Sequence, residues 1–450
     1  MIAPASNAPS TTATFSKHLI VATAMIALLN IFTALGDLPI SRVQEVRVAE
    51  TAQDMLARHD FLIPYFHGEI RLQKPPLAYW LAIAGYSVFG ETHQWALRFF
   101  TACFALGSLF LLFRWIRRHT DVASACFSVA CMVSCLIPLK MSRVAETDTP
   151  LLFFIIAAAA LGYALLHAPA HKRSTSILFF CAMAFGMLSK GPPALAIPLG
   201  LLIITALLEK NRGVMSRLFS PTGWLLFLVI AFSWYAFVYH QQPDALLHTL
   251  LKETDDTYVT GDHKEPLYYY ITRGAGYYAP WSLLVIPCSL WLWQQRKALP
   301  SLVQYACTWF VLVFCMLSFN ANKQAHYSLL LAPPFAILMG HYLQHATGKH
   351  RVGIQGFCAI IAIACTLWAT SLLITLPIKI PFILAGIAVL VIAFVIYKKS
   401  TLHAALILAM SGLVALSITV HALHKDSKVE RAITASPVFL QPVLSDNTTS

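Results

Sequence analysis

The sequence predicts an all-α polytopic membrane protein, a bundle of about 13 transmembrane helices. Composition supports this prediction, because 58% of the 450 residues are hydrophobic and only 12% are charged, whereas soluble domains carry roughly 25% charged residues. Apolar runs near the ~20 residues that cross a bilayer also recur along almost the whole chain. The net charge of +12 comes from short basic clusters between these runs, a positive-inside pattern that does not favour nucleic-acid binding.

The predicted spans follow the hydropathy in chain order. They cover residues 19–35, 98–115, 122–139, 150–167, 177–188, 195–208, 224–239, 281–293, 302–319, 329–343, 354–375, 381–397 and 402–420. The apolar stretch 77–89 is short for a span, and counting it would move most basic clusters to the outer side. We therefore expect it to lie in the first loop.

The basic clusters also predict the topology, with the N-terminus inside the cell. Residues 1–18 are predicted to be a disordered cytoplasmic tail, because they are small, polar and rich in proline and alanine. A cleaved signal peptide is the weaker alternative, since no positive region opens the chain. Residues 19–421 form the predicted transmembrane domain, and residues 422–450 a short outer tail. Outer loops are predicted at residues 36–97, near 140–149, at 240–280 and at 320–328.

The ten cysteines lie within or at the edge of apolar runs, and none forms a CxxC pair. This pattern is typical of small buried hydrophobic side chains rather than of disulfides or metal ligands.

The outer loops hold basic residues that break the positive-inside trend. A cation kept on this side needs a local reason, and an anionic ligand such as a lipid phosphate would supply one. These cations are Arg42, Arg47, Arg71, Lys74, Arg143, Lys190, Arg273 and Lys323.

The first outer loop contains two candidate binding segments. The stretch "VQEVRVAETAQDM" predicts an amphipathic interfacial helix with Glu45 and Arg47 near its start, although a solvated helix face fits the same pattern. In "KPPLAYWL" the prolines are predicted to start a new helix, with Lys74 at its N-terminal end. Lys74 can meet a phosphate there, or it can extend to lipid headgroups while Tyr79 and Trp80 join an aromatic belt.

The remaining outer loops carry further polar candidates. Asp148, in "RVAETDTP", is suited to a helix N-terminus, and Lys190 lies in the tight turn of "LSKGPPALAIP". His263, in "DHKEPLYYY", has acidic neighbours, but a single histidine is a weak indication of a metal site. The tyrosines after it, including Tyr269, form either an aromatic belt or a hydroxyl-rich wall.

Nine segments in order resemble the polyprenyl-phosphate-dependent glycosyltransferases of the membrane GT-C fold. This family, glycosyltransferase family 39, includes the aminoarabinose transferases for lipid A and the protein O-mannosyltransferases. The resemblance covers roughly residues 19–340. Its segments are "EVRVAETAQDM", "HDFLIPYFHGEIRLQKPPLAYWL", "FGETHQWALRFF", "ETDTPLLFF", "MLSKGPPALAIP", "WYAFVYHQQPDALL", "HKEPLYYY", "YYAPWSLL" and "NKQAHYSLLLAPPFAILMG".

The resemblance implies a GT-C-type bundle of 13 helices, with interfacial helices of the first periplasmic loop above the active site. It also implies transfer of a sugar from undecaprenyl phosphate to an envelope acceptor. That acceptor is lipid A, another glycolipid or a protein, at the periplasmic face of the bacterial inner membrane. No nucleotide cofactor is implied.

Site residues follow from the same resemblance. Lys74 matches the lysine that contacts the lipid phosphate, and Glu45 and Arg47 match the acidic and basic members of the first-loop motif. Asp148 matches the second-loop acid, and His263 matches a histidine close to a divalent metal ion, a candidate cofactor.

A chemical role can be assigned to each of these groups. Glu45 or Asp148 would orient and deprotonate the acceptor in an inverting displacement, while cations offset the charge of the leaving phosphate. The candidate substrate-binding residues are Arg47, Lys74, Tyr79, Lys190, Tyr269, Arg273, Lys323 and Tyr327.

Two departures from the aminoarabinose transferases weaken the finer assignments. Gln44 and Gln73 stand where that group has Asp and Glu, and glutamine is neither a general base nor a strong metal ligand. Aminoarabinose as the sugar, and a bound metal, are therefore less favoured. A catalytically silent binding subunit is one alternative. A lipid or solute transporter is less favoured, because the predicted spans are nearly free of charge and show no internal repeat.

Overall fold

The computed structural model describes most of the chain, in segments separated by short gaps. The described residues are 11–37, 40, 42–90, 93–167, 173–211, 213–258, 264–373, 386, 387, 389–391, 393, 394, 397 and 402–434. Nearly all of the regular structure in them is α-helical. The helices are α1 (Thr11–Phe32), α2 (Val43–Arg58), α3 (Leu77–Phe89), α4 (Gln94–His119), α5 (Val122–Ser134), α6 (Leu136–Met141), α7 (Asp148–His167), α8 (Arg173–Lys190), α9 (Pro193–Leu208), α10 (Gly213–Leu218), α11 (Pro221–Gln241), α12 (Pro243–Tyr258), α13 (Tyr269–Tyr277), α14 (Val285–Gln295), α15 (Ser301–Phe319), α16 (Ala332–His345), α17 (Gly348–Leu373) and α18 (Leu402–Thr434).

Four short elements complete this description. Two 3-10 helices, Trp281–Leu284 and Ala325–Leu331, precede α14 and α16. Strands β1 (Tyr65–Phe66) and β2 (Glu69–Ile70) pair as an antiparallel hairpin between α2 and α3. The hairpin, α2 and α3 together occupy the predicted first loop.

The main core is formed by the long helices, with α7 packed on α8, α5 on α16, α17 on α18 and α8 on α11. Small residues allow the closest of these approaches. At Gly340 of α16, an added Cβ would lie 2.1 Å from the Ser128 hydroxyl of α5. Only glycine fits at that crossing.

The predicted first-loop helices pack into a second, smaller core. Val48, Ala52 and Met55 of α2 pack with Tyr79 and neighbouring residues of α3 and with the start of α4. The helical state predicted for "VQEVRVAETAQDM" is confirmed. Its position at a membrane surface stays a prediction.

Part of the predicted helix pattern is confirmed. Among the described residues, five helical segments are long and apolar enough to cross a membrane, in α4, α7, α11, α15 and α17, and five other apolar helical segments are shorter. The predicted span 122–139 is divided, because Cys135 has an extended backbone between α5 and α6. The total of 13 stays a prediction, since the predicted span 381–397 lies largely outside the described residues.

The predicted ends of the domain also differ from the structure. Helix α1 begins at Thr11, inside the predicted tail 1–18, and no proline follows Pro9 to interrupt it. Helix α18 continues to Thr434, well past the predicted end at 421. Its last two turns contain neither Gly nor Pro, so nothing in that sequence stops the helix. Residues 1–10 and 435–450 lie outside the described part of the chain.

Candidate functional site

Glu45, the predicted catalytic acid, is fully buried in an ion pair. Its carboxylate accepts hydrogen bonds from Arg98 Nε at 2.7 Å and Arg98 Nη2 at 3.0 Å, and from the Ala145 backbone N–H at 3.0 Å. Both side chains of the ion pair are 1% exposed. This geometry does not favour an acceptor-facing role for Glu45, because both carboxylate oxygens are occupied by protein donors, and that role stays a prediction.

A second ion pair lies at the entry to α2. Arg42, the residue before that helix, donates through Nε and Nη2 to the two carboxylate oxygens of Glu146, the latter bond at 2.9 Å. Burial raises the pKa of Glu146, and the Arg42 guanidinium opposes that rise. The sequence places both residues on the outer side but gives no indication of their pairing, since 104 residues separate them.

Asp148 and Lys190, both predicted site residues, form a third ion pair. Lys190 Nζ lies 2.6 Å from Asp148 Oδ1, and the two side chains are 13% and 4% exposed respectively. Asp148 occupies the first turn of α7 and Lys190 the last turn of α8, so each charge complements its helix dipole. The same ammonium group lies 4.7 Å from the centre of the Tyr327 ring. Three predicted site residues are thus brought together.

His326, beside Tyr327 in the 3-10 helix before α16, lies among these charges. Burial lowers the pKa of His326 to about 3; the Asp148 carboxylate opposes this, and the charges of Lys190, Arg42 and Lys74 reinforce it. The imidazole is therefore neutral at physiological pH. This histidine was not among the predicted site residues, although it lies in the segment "NKQAHYSLLLAPPFAILMG".

Lys74 joins the same cluster and is the most accessible of its paired cations. Its Nζ lies 3.0 Å from Glu253 Oε2 on α12, and the two side chains are 27% and 40% exposed. Burial raises the pKa of Tyr327. The Lys74 ammonium group opposes this rise, and the carboxylates of Asp148 and Glu253 add to it. We call Arg42, Lys74, Glu146, Asp148, Lys190, Glu253, His326 and Tyr327 the charged cluster. Sequence reasoning missed Glu253, whose partner is 179 residues away.

Arg47 and Tyr79 occupy a different position, between α2 and α3. Tyr79 is 2% exposed; burial raises the pKa of its hydroxyl, and the neighbouring guanidinium groups of Arg71 and Arg47 oppose that rise. Arg47 itself is half-buried. The charge neighbours of Tyr79 and those of Tyr327 are therefore different residues.

The predicted tyrosine wall continues from Tyr327. Tyr270 interacts electrostatically with both Tyr327 and Tyr269, and the Tyr269 hydroxyl lies 3.0 Å from that of Tyr277. Arg273, one turn along α13 from Tyr269, is exposed.

Lys323 is 5% exposed and donates from Nζ to the Asn320 carbonyl at 2.7 Å. No hydrogen bond or ion pair within the described residues joins Lys323, Tyr269 or Arg273 to the charged cluster.

A metal site is not formed by the described residues, which contain no group of three or more His, Cys, Asp and Glu side chains able to hold an ion. Gln73 is exposed and offers an amide rather than a carboxylate. His263, the predicted metal ligand, lies outside the described residues. The divalent metal near His263 therefore stays a prediction.

Comparison with known proteins gives consistent results. Residues 73–239 match the family model described as dolichyl-phosphate-mannose-protein mannosyltransferase. An undecaprenyl phosphate-alpha-4-amino-4-deoxy-L-arabinose arabinosyl transferase of Aeromonas hydrophila is 27% identical over 67% of this chain and 55% of that protein. An uncharacterized protein of Aquifex aeolicus is 25% identical over 74% of this chain and 64% of that protein. The chain thus spans less than two thirds of the length of each of these two relatives.

The fold is also found in a solved structure. The crystal structure of ArnT from Cupriavidus metallidurans bound to undecaprenyl phosphate matches with a TM-score of 0.75 and 20% identity, over 93% of this chain and 79% of that one. This likeness shows a shared fold. Together with the matching family model and relatives, it shows that the chain is similar to the GT-C glycosyltransferases of family 39, which include the aminoarabinose transferases and the protein mannosyltransferases.

Proposed function

We propose that this multi-pass membrane protein transfers a sugar from a polyprenyl phosphate, such as undecaprenyl phosphate, to an envelope acceptor. The acceptor class is lipid A, another glycolipid or a protein. The observation that carries the proposal is the charged cluster, in which Asp148 and Lys190 form an ion pair beside Tyr327 and Lys74, from another part of the chain, acts electrostatically on Tyr327. The fold match to a protein crystallised with undecaprenyl phosphate supports the donor class.

Lys74 is the proposed donor-phosphate ligand. Its side chain is accessible, and its present partner, Glu253, is a half-exposed carboxylate that a phosphate can replace. As the bond between the sugar and the phosphate breaks, negative charge grows on the phosphate oxygen, and a cation held beside it lowers the barrier. We infer that Tyr327, on which Lys74 acts electrostatically, and Lys190, whose ammonium group lies 4.7 Å from the centre of the Tyr327 ring, share that task.

Asp148 replaces Glu45 as the proposed acceptor-side acid. In a single displacement with inversion, the acceptor oxygen attacks the sugar carbon opposite the leaving phosphate and gives its proton to a base. Glu253 is bonded to Lys74 and hence lies on the leaving-group side. Asp148 is the other carboxylate close to Tyr327, and Lys190 fixes its orientation. No step in this scheme passes through a metal ion.

The proposed location is the bacterial inner membrane, with the N-terminus in the cytoplasm and the charged cluster at the periplasmic face. The basic clusters support this orientation. Arg114, Arg117 and Arg118 at the end of α4 and Lys210 after α9 mark the cytoplasmic side.

A catalytically silent binding subunit is the second candidate, and one observation favours it. Glu45 forms a buried ion pair with Arg98, and Gln44 and Gln73 provide no replacement carboxylate. Such a protein would bind the lipid phosphate through Lys74 without transferring the sugar.

The test is a comparison of envelope glycolipids, lipid A and glycoproteins by mass spectrometry in cells with and without the gene. It is repeated with genes carrying Lys74→Ala or Asp148→Asn, checked for equal protein in the membrane. A glycan that depends on the wild-type gene and is lost in both variants supports transfer. Unchanged glycans, combined with undecaprenyl phosphate binding that requires Lys74, would favour the silent subunit.

A further inference from the structure

A buried arginine lies beside a small cavity at the end of the bundle that holds the charged cluster. We propose that Arg143 and Asn30 bind one small monovalent anion, such as chloride, in this cavity. Arg143 lies in the turn between α6 and α7, and Asn30 lies in the last turn of α1. The structural basis is a buried positive charge without a negative partner, together with two buried N–H donors that have no acceptor.

Arg143 is surrounded by neutral oxygen atoms. The residue is 3% exposed, and its Nη1 donates to the Asn30 carbonyl at 3.2 Å. Nη1 also donates to the Thr419 hydroxyl of α18, and Nη2 donates to the Thr33 carbonyl after α1. These oxygens satisfy N–H donors, but they leave the positive charge of the guanidinium without a counter-charge.

The other cations near the charged cluster provide a direct contrast. Four of them have a carboxylate oxygen at 3.0 Å or closer, namely Arg42, Lys74, Arg98 and Lys190. Among the described Arg and Lys residues that form no ion pair, Arg143 is the most buried. An unpaired charge removed from water is costly, so Arg143 has a strong requirement for an anion from outside the chain.

Two charged groups act on Arg143 from a distance. Burial lowers the pKa of the Arg143 guanidinium to about 9; the charge of Arg98 adds to this decrease, and the Asp37 carboxylate opposes it. The guanidinium is therefore still charged at neutral pH. Asp37 is exposed and forms no ion pair with Arg143 within the described residues. It therefore does not replace an anion in contact.

Two N–H groups at this position have no acceptor. Arg143 Nε and Asn30 Nδ2 are both buried and have no hydrogen-bond partner. Neither nitrogen can accept a hydrogen bond, and buried polar groups are normally paired. The Thr419 hydroxyl donates its proton to the Ala415 carbonyl at 3.0 Å. The missing partner is therefore an acceptor, and a negative charge suits both donors and the guanidinium.

The cavity fits a small anion. Its lining includes Asn30, Thr33 and Thr419, the three residues bonded to Arg143, and apolar side chains such as Leu416 and Val389. Residues 374–401, which contain Val389, include no Asp or Glu. The cavity has room for about one particle of the size of water. This size favours a monatomic anion over a phosphate, and a water molecule would satisfy the donors without neutralising the charge.

An anion at this position would stabilise the turn that precedes α7. Beyond Arg143, this turn contains Ala145, whose N–H binds Glu45, and Glu146, which pairs with Arg42. A neutralised Arg143 would hold the turn against α1 and α18 through the three bonds described above. The inference goes beyond the proposed function, because anion binding is measured without sugar transfer.

The experiment measures chloride binding by the full-length protein in dodecyl maltoside micelles. The thermal unfolding midpoint is followed by tryptophan fluorescence while sodium chloride replaces sodium gluconate at constant ionic strength, since gluconate is too large for the cavity. A second arm locates bromide by its anomalous X-ray scattering in crystals of the wild-type protein grown with bromide.

The two test variants are Arg143→Met, which removes the cation, and Asn30→Asp, which places a carboxylate beside it. The matched control is Asn211→Asp. It makes the same chemical change in the turn after α9, where the amide donates to the Leu166 carbonyl at 3.1 Å.

A ligand that binds only the folded state stabilises it as the ligand concentration rises. We therefore expect chloride to raise the midpoint of the wild type and of Asn211→Asp to a plateau. Arg143→Met should weaken chloride binding by about tenfold or more, because a charge-assisted interaction is lost. The midpoint of Asn30→Asp should not depend on chloride, because the new carboxylate supplies the counter-charge. Bromide should lie beside Arg143 Nε and Asn30 Nδ2.

Three results would overturn the inference. These are a wild-type midpoint that does not depend on chloride, an equal chloride dependence in Asn30→Asp and Asn211→Asp, and a cavity that holds only water in the bromide crystals. If Arg143→Met does not fold, Asn30→Asp and its control decide. The bromide position needs no variant, so it decides the question even if neither test variant folds.

Discussion

Replacing Glu45 by glutamine should destabilise the protein rather than selectively remove its chemistry. The substitution keeps the shape of the side chain but leaves the Arg98 guanidinium, 1% exposed, without its counter-charge. Removing one partner of a buried ion pair costs about 3 to 5 kcal/mol, because the other charge stays buried and uncompensated. The matched control is Asp54→Asn on the same helix. Its partner Arg58 is 44% exposed, so the expected cost there is below about 1 kcal/mol.

The assay is unfolding by sodium dodecyl sulfate in mixed micelles, followed by far-UV circular dichroism, with protein amounts in the membrane measured in parallel. A double variant, Glu45→Gln with Arg98→Met, should recover much of the loss, because replacing both partners of a buried pair is often neutral. The reasoning is refuted if Glu45→Gln is as stable as Asp54→Asn and nevertheless loses sugar transfer. Glu45 would then be the reactive acid that the sequence suggested.

Four further predictions concern the charged cluster and the topology. Lys74→Ala should abolish binding of undecaprenyl phosphate without changing the unfolding midpoint, and retained binding would remove Lys74 from the donor site. Asp148→Asn, at wild-type membrane levels, should lower transfer ~100-fold or more if general-base action is required; normal turnover would exclude that role. Because burial lowers the pKa of His326 to about 3, the unfolded state binds more protons between about pH 6.5 and pH 3. The free energy of unfolding should therefore decrease as the pH is lowered through that window, by about 2 kcal/mol from pH 7 to pH 5. His326→Gln should show a smaller fall, and an equal fall would contradict the assignment. An alkaline phosphatase fusion after Lys210 should be inactive and one after Asp255 active, whereas the reverse pattern would invert the proposed orientation.

Much of the helical pattern could be predicted from the sequence, because long apolar runs have few alternatives in a bilayer. The break after Ser134 could not, since Cys135 and Pro138 lie in an apolar run that hydropathy reads as continuous. The helical continuation to Thr434 was missed for the opposite reason. Hydropathy ends there, but the local sequence still favours a helix.

The candidate site could be predicted as a set of residues but not as a set of partners. Lys74, Asp148, Lys190 and Tyr327 were all selected, and the structure brings them into one cluster. The ion pair of Glu45 was not predicted, because the place of this residue in a motif does not reveal a guanidinium 53 residues later in the chain. Glu253 was missed for the same physical reason.

The Glu45 carboxylate also has a consequence for biogenesis. It binds Arg98 at the start of α4 and the Ala145 backbone N–H before α7, and these partners are synthesised 53 and 100 residues after Glu45. During N-terminal-to-C-terminal synthesis, α2 can pack on α3 before its ion-pair partner exists. The complete set of hydrogen bonds to Glu45 can form only after residue 145 has been synthesised. A truncated chain ending in α4 would carry the ion pair without its backbone donor.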